Sequence, residues 1–162
     1  MKTKVIDLTI PDQIIEITED TELLGLFIGR NDDLLSNKIS VVHNSPNLKS
    51  LTRIKAVVYD KSRFDLEGLL IINKGAENTD AYLRIDVLII GTKASARAIP
   101  SLEITEESVK GGHGATVGNI DDEYLYYLQS RGISANMAEK MLVEGFIKDI
   151  LDRISTNQLQ NS

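Results

Sequence analysis

The sequence predicts a β-rich domain followed by two C-terminal helices. Short apolar segments, several with two-residue alternation, recur between polar turns from residue 3 to residue 104. None of these segments shows a convincing 3.6-residue period, whereas the residues after Gly118 do. The short and fairly even spacing of the β segments is compatible with a sandwich, a barrel or a β-solenoid.

The composition limits the classes of function. The chain has 162 residues, of which 42% are hydrophobic and 26% charged, so it is long enough for one domain with a core. The net charge is −6 and there is no basic run, which argues against nucleic-acid binding. The chain has no cysteine, which excludes disulfides and thiolate metal ligands. Without an 18-residue apolar run or a signal-peptide pattern, we expect a soluble cytoplasmic protein that does not span a membrane.

The first third of the chain is predicted to form short strands. Residues 3–9 and 13–17 are rich in β-branched residues and flank a turn signal. An apolar run at 23–28 ends in a polar loop, and residues 38–43 have the pattern of a further strand. We expect His43 to end that strand at the surface.

The clearest β signal lies between residues 53 and 104. Residues 53–59 begin with alternation, and two later strands each place apolar residues on one side: Leu66, Gly68, Leu70 and Ile72, then Leu83, Ile85, Val87 and Ile89. Residues 96–104 predict a weaker strand that Pro100 breaks. A loose repeat begins at Phe64 and again at Ala94, but its match is too poor to establish a solenoid.

A glycine-rich segment at 111–118 is predicted to be a turn between the strands and the helices. It carries His113, whose imidazole could bind a metal, although a lone histidine makes a poor metal site and a hydrogen bond across the turn is the simpler interpretation. The segment lacks the lysine of a phosphate-binding loop, and the chain has no nucleophile elbow. The residues therefore give no evident catalytic site.

Two helices follow. The first spans 121–131: Asp121, Asp122 and Glu123 open it, as caps rather than as cation ligands, and Gly132 ends it. Ser134 or Asn136 is expected to cap the second helix, and the tail from Ser155 to Ser162 is expected to fray. The apolar stripe of the second helix must be buried on the β core or on a partner, and it comprises Ala138, Met141, Leu142, Gly145, Phe146, Ile150 and Ile154.

Several segments resemble a known family. Residues 98–104, 109–118, 127–133 and 138–146 are similar to the C-terminal half of the SufB/SufD proteins, the scaffold subunits of SUF iron–sulfur cluster assembly. Residues 67–72 and 75–81 resemble the upstream strand-and-turn pattern of that family. The resemblance covers roughly residues 40–154 and is most specific between 98 and 133.

This resemblance implies a right-handed parallel β-helix over residues 1–118 and a small helical segment over 119–162. It implies that two scaffold subunits pair near the C-terminal end of the β-helix, and that residues 119–154 dock a SufC-like ABC-type ATPase. His113 matches the histidine that lies at the subunit interface and is implicated in holding the nascent iron–sulfur cluster. Gly114 follows it as in SufD-like chains, whereas SufB-like chains have glutamate there.

The chain also departs from the family. Gly111 and Gly112 stand where many members have Cys-Ser, so His113 could ligate a transient cluster only together with ligands from a partner. The chain also looks short for the family. We therefore expect a non-catalytic, SufD-like assembly component that pairs with a SufB-like scaffold. The alternative is a stand-alone homodimeric interaction protein that has lost cluster chemistry; an enzyme has only His113 and nearby carboxylates to support it.

Overall fold

The computed structural model describes residues 1–160, with side chains through Thr156. Over this range the chain forms nine strands followed by two helices. The strands are β1 (Lys2–Val5), β2 (Gln13–Ile17), β3 (Thr21–Gly29), β4 (Leu34–His43), β5 (Lys49–Val58), β6 (Arg63–Ile72), β7 (Asp80–Ile89), β8 (Ser95–Ile104) and β9 (Lys110–Asn119). The helices are α1 (Asp122–Ser130) and α2 (Ala135–Gln160).

The strands form two parallel sheets that wind into a solenoid. The odd sheet has the order β1-β3-β5-β7-β9 and the even sheet the order β2-β4-β6-β8. Lys49 pairs with Asp80, and Asp80 pairs with Lys110, so successive turns place equivalent residues beside each other. The result is a solenoid of about four turns. The parallel β-helix that the resemblance implies is confirmed, and neither the sandwich nor the barrel is formed.

Inward-facing side chains stack in columns that follow the register. Leu23, Thr52 and Leu83 form one such column across β3, β5 and β7, and all three are fully buried. The apolar sides predicted for residues 66–72 and 83–89 face this core, with Ile89 partly buried against it. Each buried aliphatic side chain contributes about 1.5–3 kcal/mol, which explains why alternation in the sequence locates these strands well.

Polar residues shape the corners of the solenoid. Asp12, Asn31, Asn47, Asp60 and Asn78 have φ between 48° and 61°, a left-handed conformation that asparagine and aspartate tolerate better than most residues. The side chain of Asn78 donates to that of Asn47 at 3.1 Å, so consecutive corners are also linked by hydrogen bonds.

Three local predictions were wrong. Residues 111–118 are not a turn but most of strand β9. Pro100 does not break β8, because β8 is an edge strand and pairs with β6 alone in the described chain. His43 is not at the surface: it is fully buried, its Nε2 lies 2.8 Å from Ser50 Oγ, and burial lowers its pKa to about 4.

The helix termini are largely as predicted. Asp121 caps α1 by accepting from the backbone N–H of Glu123 at 2.8 Å, and Gly132 ends it with φ of 86°. Ser134 caps α2 by accepting from Met137 N–H at 3.3 Å. The tail expected to fray from Ser155 is helical through Gln160, while Asn161 and Ser162 lie outside the described residues.

Helix α2 packs on the outer face of the odd sheet. Val143 and Ile147 are buried against Val57 and Ile90. The predicted stripe was therefore partly wrong, because it omitted these two residues and included Met141 and Gly145, which are exposed. Apolar residues occupy much of the circumference of α2, so the pattern alone did not show which side faces the sheet. Within residues 1–160, neither helix has a segment long and apolar enough to cross a membrane.

Candidate functional site

The C-terminal end of the solenoid is open. β8 and β9 are the last strands of the even and odd sheets, and within the described chain each has a neighbour on one side only. Their free edges leave backbone N–H and C=O groups available for another strand. The inward-facing side of this last turn is also uncovered: Leu102, Ile104 and Val117 are 36%, 38% and 43% exposed. We call this surface, formed by β8 and β9, the open end.

His113 lies in the open end. It is in register with Leu83 of β7, so it occupies an inward-facing position of β9. Leu83 is fully buried because β9 covers it, but no strand covers His113, whose side chain is exposed. A residue that would belong to the core in an inner turn is thus presented to solvent.

The neighbours of His113 on the inward-facing side are small or apolar. The β8 positions in register with buried residues of β6 are Ala96, Ala98, Pro100, Leu102 and Ile104. On β9 the corresponding positions are Gly111, Ala115 and Val117. Among these inward-facing residues of the last turn, His113 is the one whose side chain can ligate a metal, so it is the candidate ligand of the open end.

The glycines of β9 allow close packing rather than a turn. None of Gly111, Gly112 and Gly114 has a positive φ. A Cβ on Gly112 would approach Tyr82 Cδ2 to 2.8 Å, and one on Gly114 would approach Tyr82 Oη to 2.9 Å. The side chain of Tyr82 therefore lies across β9, and the space it occupies requires glycine beneath it.

The described residues contain no ready-made metal site. No group of three or more His, Asp or Glu side chains is placed to hold a metal ion in residues 1–160. The whole sequence lacks cysteine, so no thiolate is available. His113 can supply one imidazole, and any metal or cluster at the open end needs further ligands from another molecule.

The opposite end of the solenoid has a different character. β1 and β2 have four and five residues, against ten each in β8 and β9. Lys2 and Lys4 are in register with Thr21 and Leu23, and both lysines lie within 3.7 Å of Glu19. Short strands and inward-positioned charges disfavour strand pairing. The open end is therefore better suited to strand addition.

A second uncovered surface lies on the helices. Tyr124, Tyr126 and Tyr127 of α1 are exposed, as are Met137 and Met141 of α2. Leu125 and Leu128 are the partly buried residues of α1, so the three tyrosines lie on its solvent-exposed sides. We call these five exposed residues the helical surface.

Comparison with known proteins connects these features to a family. The family model described as "SUF system FeS cluster assembly, SufBD core domain" matches residues 13–146. The SufD iron–sulfur cluster assembly protein of Escherichia coli is 36% identical over 118 residues, which are 73% of this chain and 28% of that protein. SufBD family proteins of Mycobacterium leprae and Mycobacterium tuberculosis are 34% and 32% identical over 149 residues, 87% of this chain and 38% of each relative. The chain thus spans less than half the length of these relatives.

Proposed function

Because this chain belongs to the SufBD core-domain family of the SUF system, we propose that it is a non-catalytic, SufD-like component of iron–sulfur cluster assembly. In this proposal it pairs with a SufB-like scaffold through the open end and presents α1 and α2 to a SufC-like ABC-type ATPase. The carrying observation is the position of His113, which the register places in the inward-facing row of an uncovered last turn. Family membership itself supports a role in cluster assembly.

The geometry of the open end supports the pairing step. Two ten-residue edge strands offer main-chain hydrogen-bonding groups to a partner, as in other cases of strand addition. Leu102, Ile104 and Val117 offer apolar area that pairing would remove from water, at about 25 cal/mol per Å². A partner strand beside β9 would cover His113 and form a dry interface around it.

The chemistry of His113 defines what this chain contributes to the cluster. The cluster is the cargo of the assembly reaction rather than a resident cofactor of the chain. The His113 imidazole can give iron one nitrogen ligand, and the absence of cysteine means that thiolate ligands must come from the scaffold. The site is therefore shared between two subunits, and this chain supplies its minor part.

The helical surface supports docking of the ATPase. Exposed tyrosines and methionines are enriched at protein interfaces, because they combine large apolar area with adaptable packing. Tyr126 is 76% exposed and Met137 is 51% exposed, although both side chains are costly to hydrate. This surface lies within the range 119–154 that the family resemblance indicates for the ATPase.

The experiment is an anaerobic co-purification of this chain with the SufB-like and ATPase proteins of its source, followed by iron and sulfide assays. Ala115→Lys should release the scaffold, because it places a charge in the inward-facing row of β9. Met141→Lys should release the ATPase and keep the scaffold. His113→Ala should keep both partners and lower the iron content of the complex. Lys61→Ala, at an exposed turn between β5 and β6, is the matched control and should change none of these.

Two outcomes would contradict parts of the proposal. If His113→Ala leaves iron unchanged in an intact complex, the chain is an architectural partner and His113 is no ligand. If wild type binds neither protein and purifies as a homodimer without iron, the stand-alone interaction protein replaces the assembly component.

A further inference from the structure

The outer face of the even sheet carries an uncovered apolar patch. Ile14 and Ile99 are 74% and 39% exposed, and Val42, Leu69 and Ile71 are partly exposed between them. The register brings four of these residues together, since Ile14 and Leu69 both flank Ser40, and Val42 lies beside Ile71. Ile99 is in register with Glu67 and lies diagonally from Leu69. No helix or strand within residues 1–160 packs on it. We call these five aliphatic residues the even-face patch.

The odd sheet shows how such a face is covered in this molecule. There α2 lies over Leu26, Val57 and Leu88. Charged residues at the margins complete the contact: Lys55 Nζ lies 2.6 Å from Asp149, and Arg153 lies 2.8 Å from Glu22. The outer face of the odd sheet is thus covered by a helix whose apolar stripe packs on the sheet and whose flanking charges are opposite in sign to those of the sheet.

The margins of the even-face patch carry unpaired negative charge. Glu16 and Glu103 stand at the two ends of the row that contains Val42 and Ile71. In the described chain neither carboxylate forms an ion pair, and Glu16 accepts a hydrogen bond only from the neutral side chain of Asn44, at 2.7 Å.

The remaining charges of this face lie in the row that contains Ile99 and in the rows beyond it. Lys38 is in register with Glu67, whose carboxylate is 3.5 Å from Arg97, and Arg97 also pairs with Asp65 at 2.9 Å. These groups largely neutralise one another. The uncompensated charges beside the apolar centre are therefore the two carboxylates.

We propose that the even-face patch binds an amphipathic helix of a partner protein, with Lys or Arg on both sides of its apolar face. A helix about 10 Å across fits along β4 and β6. The carboxylates of Glu16 and Glu103 stand on β2 and β8, three strand spacings or about 14 Å apart, on either side of such a helix. This surface shares β8 with the open end but lies on the outer side of that strand, it does not include the helical surface, and the inference does not rest on the proposed function.

The test uses the chain alone and two synthetic peptides. Each peptide has about 14 residues, long enough to cover the length of the patch, with leucine on one helical face. One carries lysine on both flanks and the other carries glutamate. Fluorescence anisotropy should show saturable binding of the lysine peptide and binding at least about tenfold weaker for the glutamate peptide.

Substitutions then locate the site. Ile14→Thr together with Ile99→Thr keeps the net charge and should weaken the lysine peptide about tenfold. Glu16→Gln with Glu103→Gln should weaken it and flatten its salt dependence. The control, Met137→Thr with Met141→Thr, removes comparable apolar area from the helical surface and should leave binding of the lysine peptide unchanged. The urea denaturation midpoint of each variant establishes that it is folded.

Three results would overturn the inference: no saturable binding up to about 1 mM peptide, equal binding of both peptides, or equal losses in the isoleucine and methionine variants. The last result would mean that the peptide binds exposed apolar residues without preference for the even sheet.

Discussion

Arg153, in the C-terminal half of α2, donates from one guanidinium nitrogen to both carboxylate oxygens of Glu22 on β3, at 2.8 and 3.1 Å. Glu22 is buried, and Arg53 lies 3.8 Å from the same carboxylate. This pair fastens the end of α2 to the second turn of the solenoid. Removing the partner of a buried charge destabilises a protein more than removing the partner of an exposed charge. Substitution of Arg153 therefore tests whether this pair stabilises the fold.

Arg153→Ala should lower the free energy of unfolding by about 2 kcal/mol, because it leaves the Glu22 carboxylate with the more distant Arg53 and a long hydrogen bond from the Thr3 hydroxyl. Lys148→Ala is the control: it removes an exposed pair with Asp152 on the same helix and should cost about 0.3 kcal/mol. Urea denaturation measures both. Equal costs would mean that the pair with Glu22 behaves as a surface contact.

The glycines of β9 should differ in their response to alanine. Gly112→Ala should destabilise the protein by about 1 kcal/mol, because the new Cβ displaces the ring of Tyr82. Gly118→Ala meets no atom within 4 Å and should stabilise by about 0.5 kcal/mol, since alanine restricts the unfolded chain.

A second substitution separates the two explanations for the glycines. In a Tyr82→Ala background the cost of Gly112→Ala should disappear, because the atoms that a Cβ on Gly112 would meet within 4 Å belong to Tyr82. A cost that persists there, or a loss in Gly118→Ala as large as in Gly112→Ala, would indicate that the backbone itself requires glycine.

His43 should make stability depend on pH. Its folded pKa is lowered from 6.5 to about 4 by burial, so the unfolded state takes up the proton more readily. The contribution of neutral His43 to the free energy of unfolding is fully present above pH 6.5, and it is lost as the pH falls towards 4. Between pH 7.5 and pH 5 the loss should be about 2 kcal/mol.

The comparison that isolates His43 is His43→Gln, which keeps a polar group near Ser50 but cannot be protonated in this range. Other titrating groups act on both proteins, so the wild type should lose about 2 kcal/mol more than the variant between these pH values. Parallel pH profiles of the urea midpoint would show that His43 does not control the dependence.

The open end should make the isolated chain associate. Sedimentation velocity of wild type alone should show a concentration-dependent dimer, because free strand edges pair when no other partner is present. Ala115→Lys should shift the chain towards monomer, while Thr116→Lys, on the outer side of the same strand, should shift it less. A wild type that stays monomeric at all concentrations would contradict self-pairing through this end.

Much of the fold is visible in the sequence because burial is periodic. The alternation of residues 66–72 and 83–89 locates β6 and β7, and Asp121, Gly132 and Ser134 mark helix ends. The parallel arrangement is not visible in the same way, since a two-residue period is the same in a sandwich and in a solenoid. What distinguishes the solenoid is a constant sequence separation of about 30 residues between paired positions, such as Leu83 and His113. The residue types at paired positions differ between turns, so this separation is not visible as a repeat.

The family resemblance indicates His113 as the candidate ligand, and that role stays a prediction. The turn predicted for its segment was wrong, because glycine more often marks a turn than a strand. Glycine is needed at position 112 because the ring of Tyr82, 30 residues earlier, packs against it. No pattern in the sequence around Gly112 indicates this contact. His43 was misplaced for a similar reason: its burial depends on Ser50 in the next strand and on neighbouring turns rather than on its own flanks.

The docking of α2 also bears on how the protein is made. Each solenoid turn pairs with the one synthesised about 30 residues before it, so the turns can form in order as the chain leaves the ribosome. The contacts from Arg153 to Glu22 and from Lys55 to Asp149 span 131 and 94 residues. They can form only after α2 has been synthesised. The apolar strip of Leu26, Val57 and Leu88 therefore stays exposed until α2 has been synthesised, a period in which a chaperone would find its binding surface on this chain.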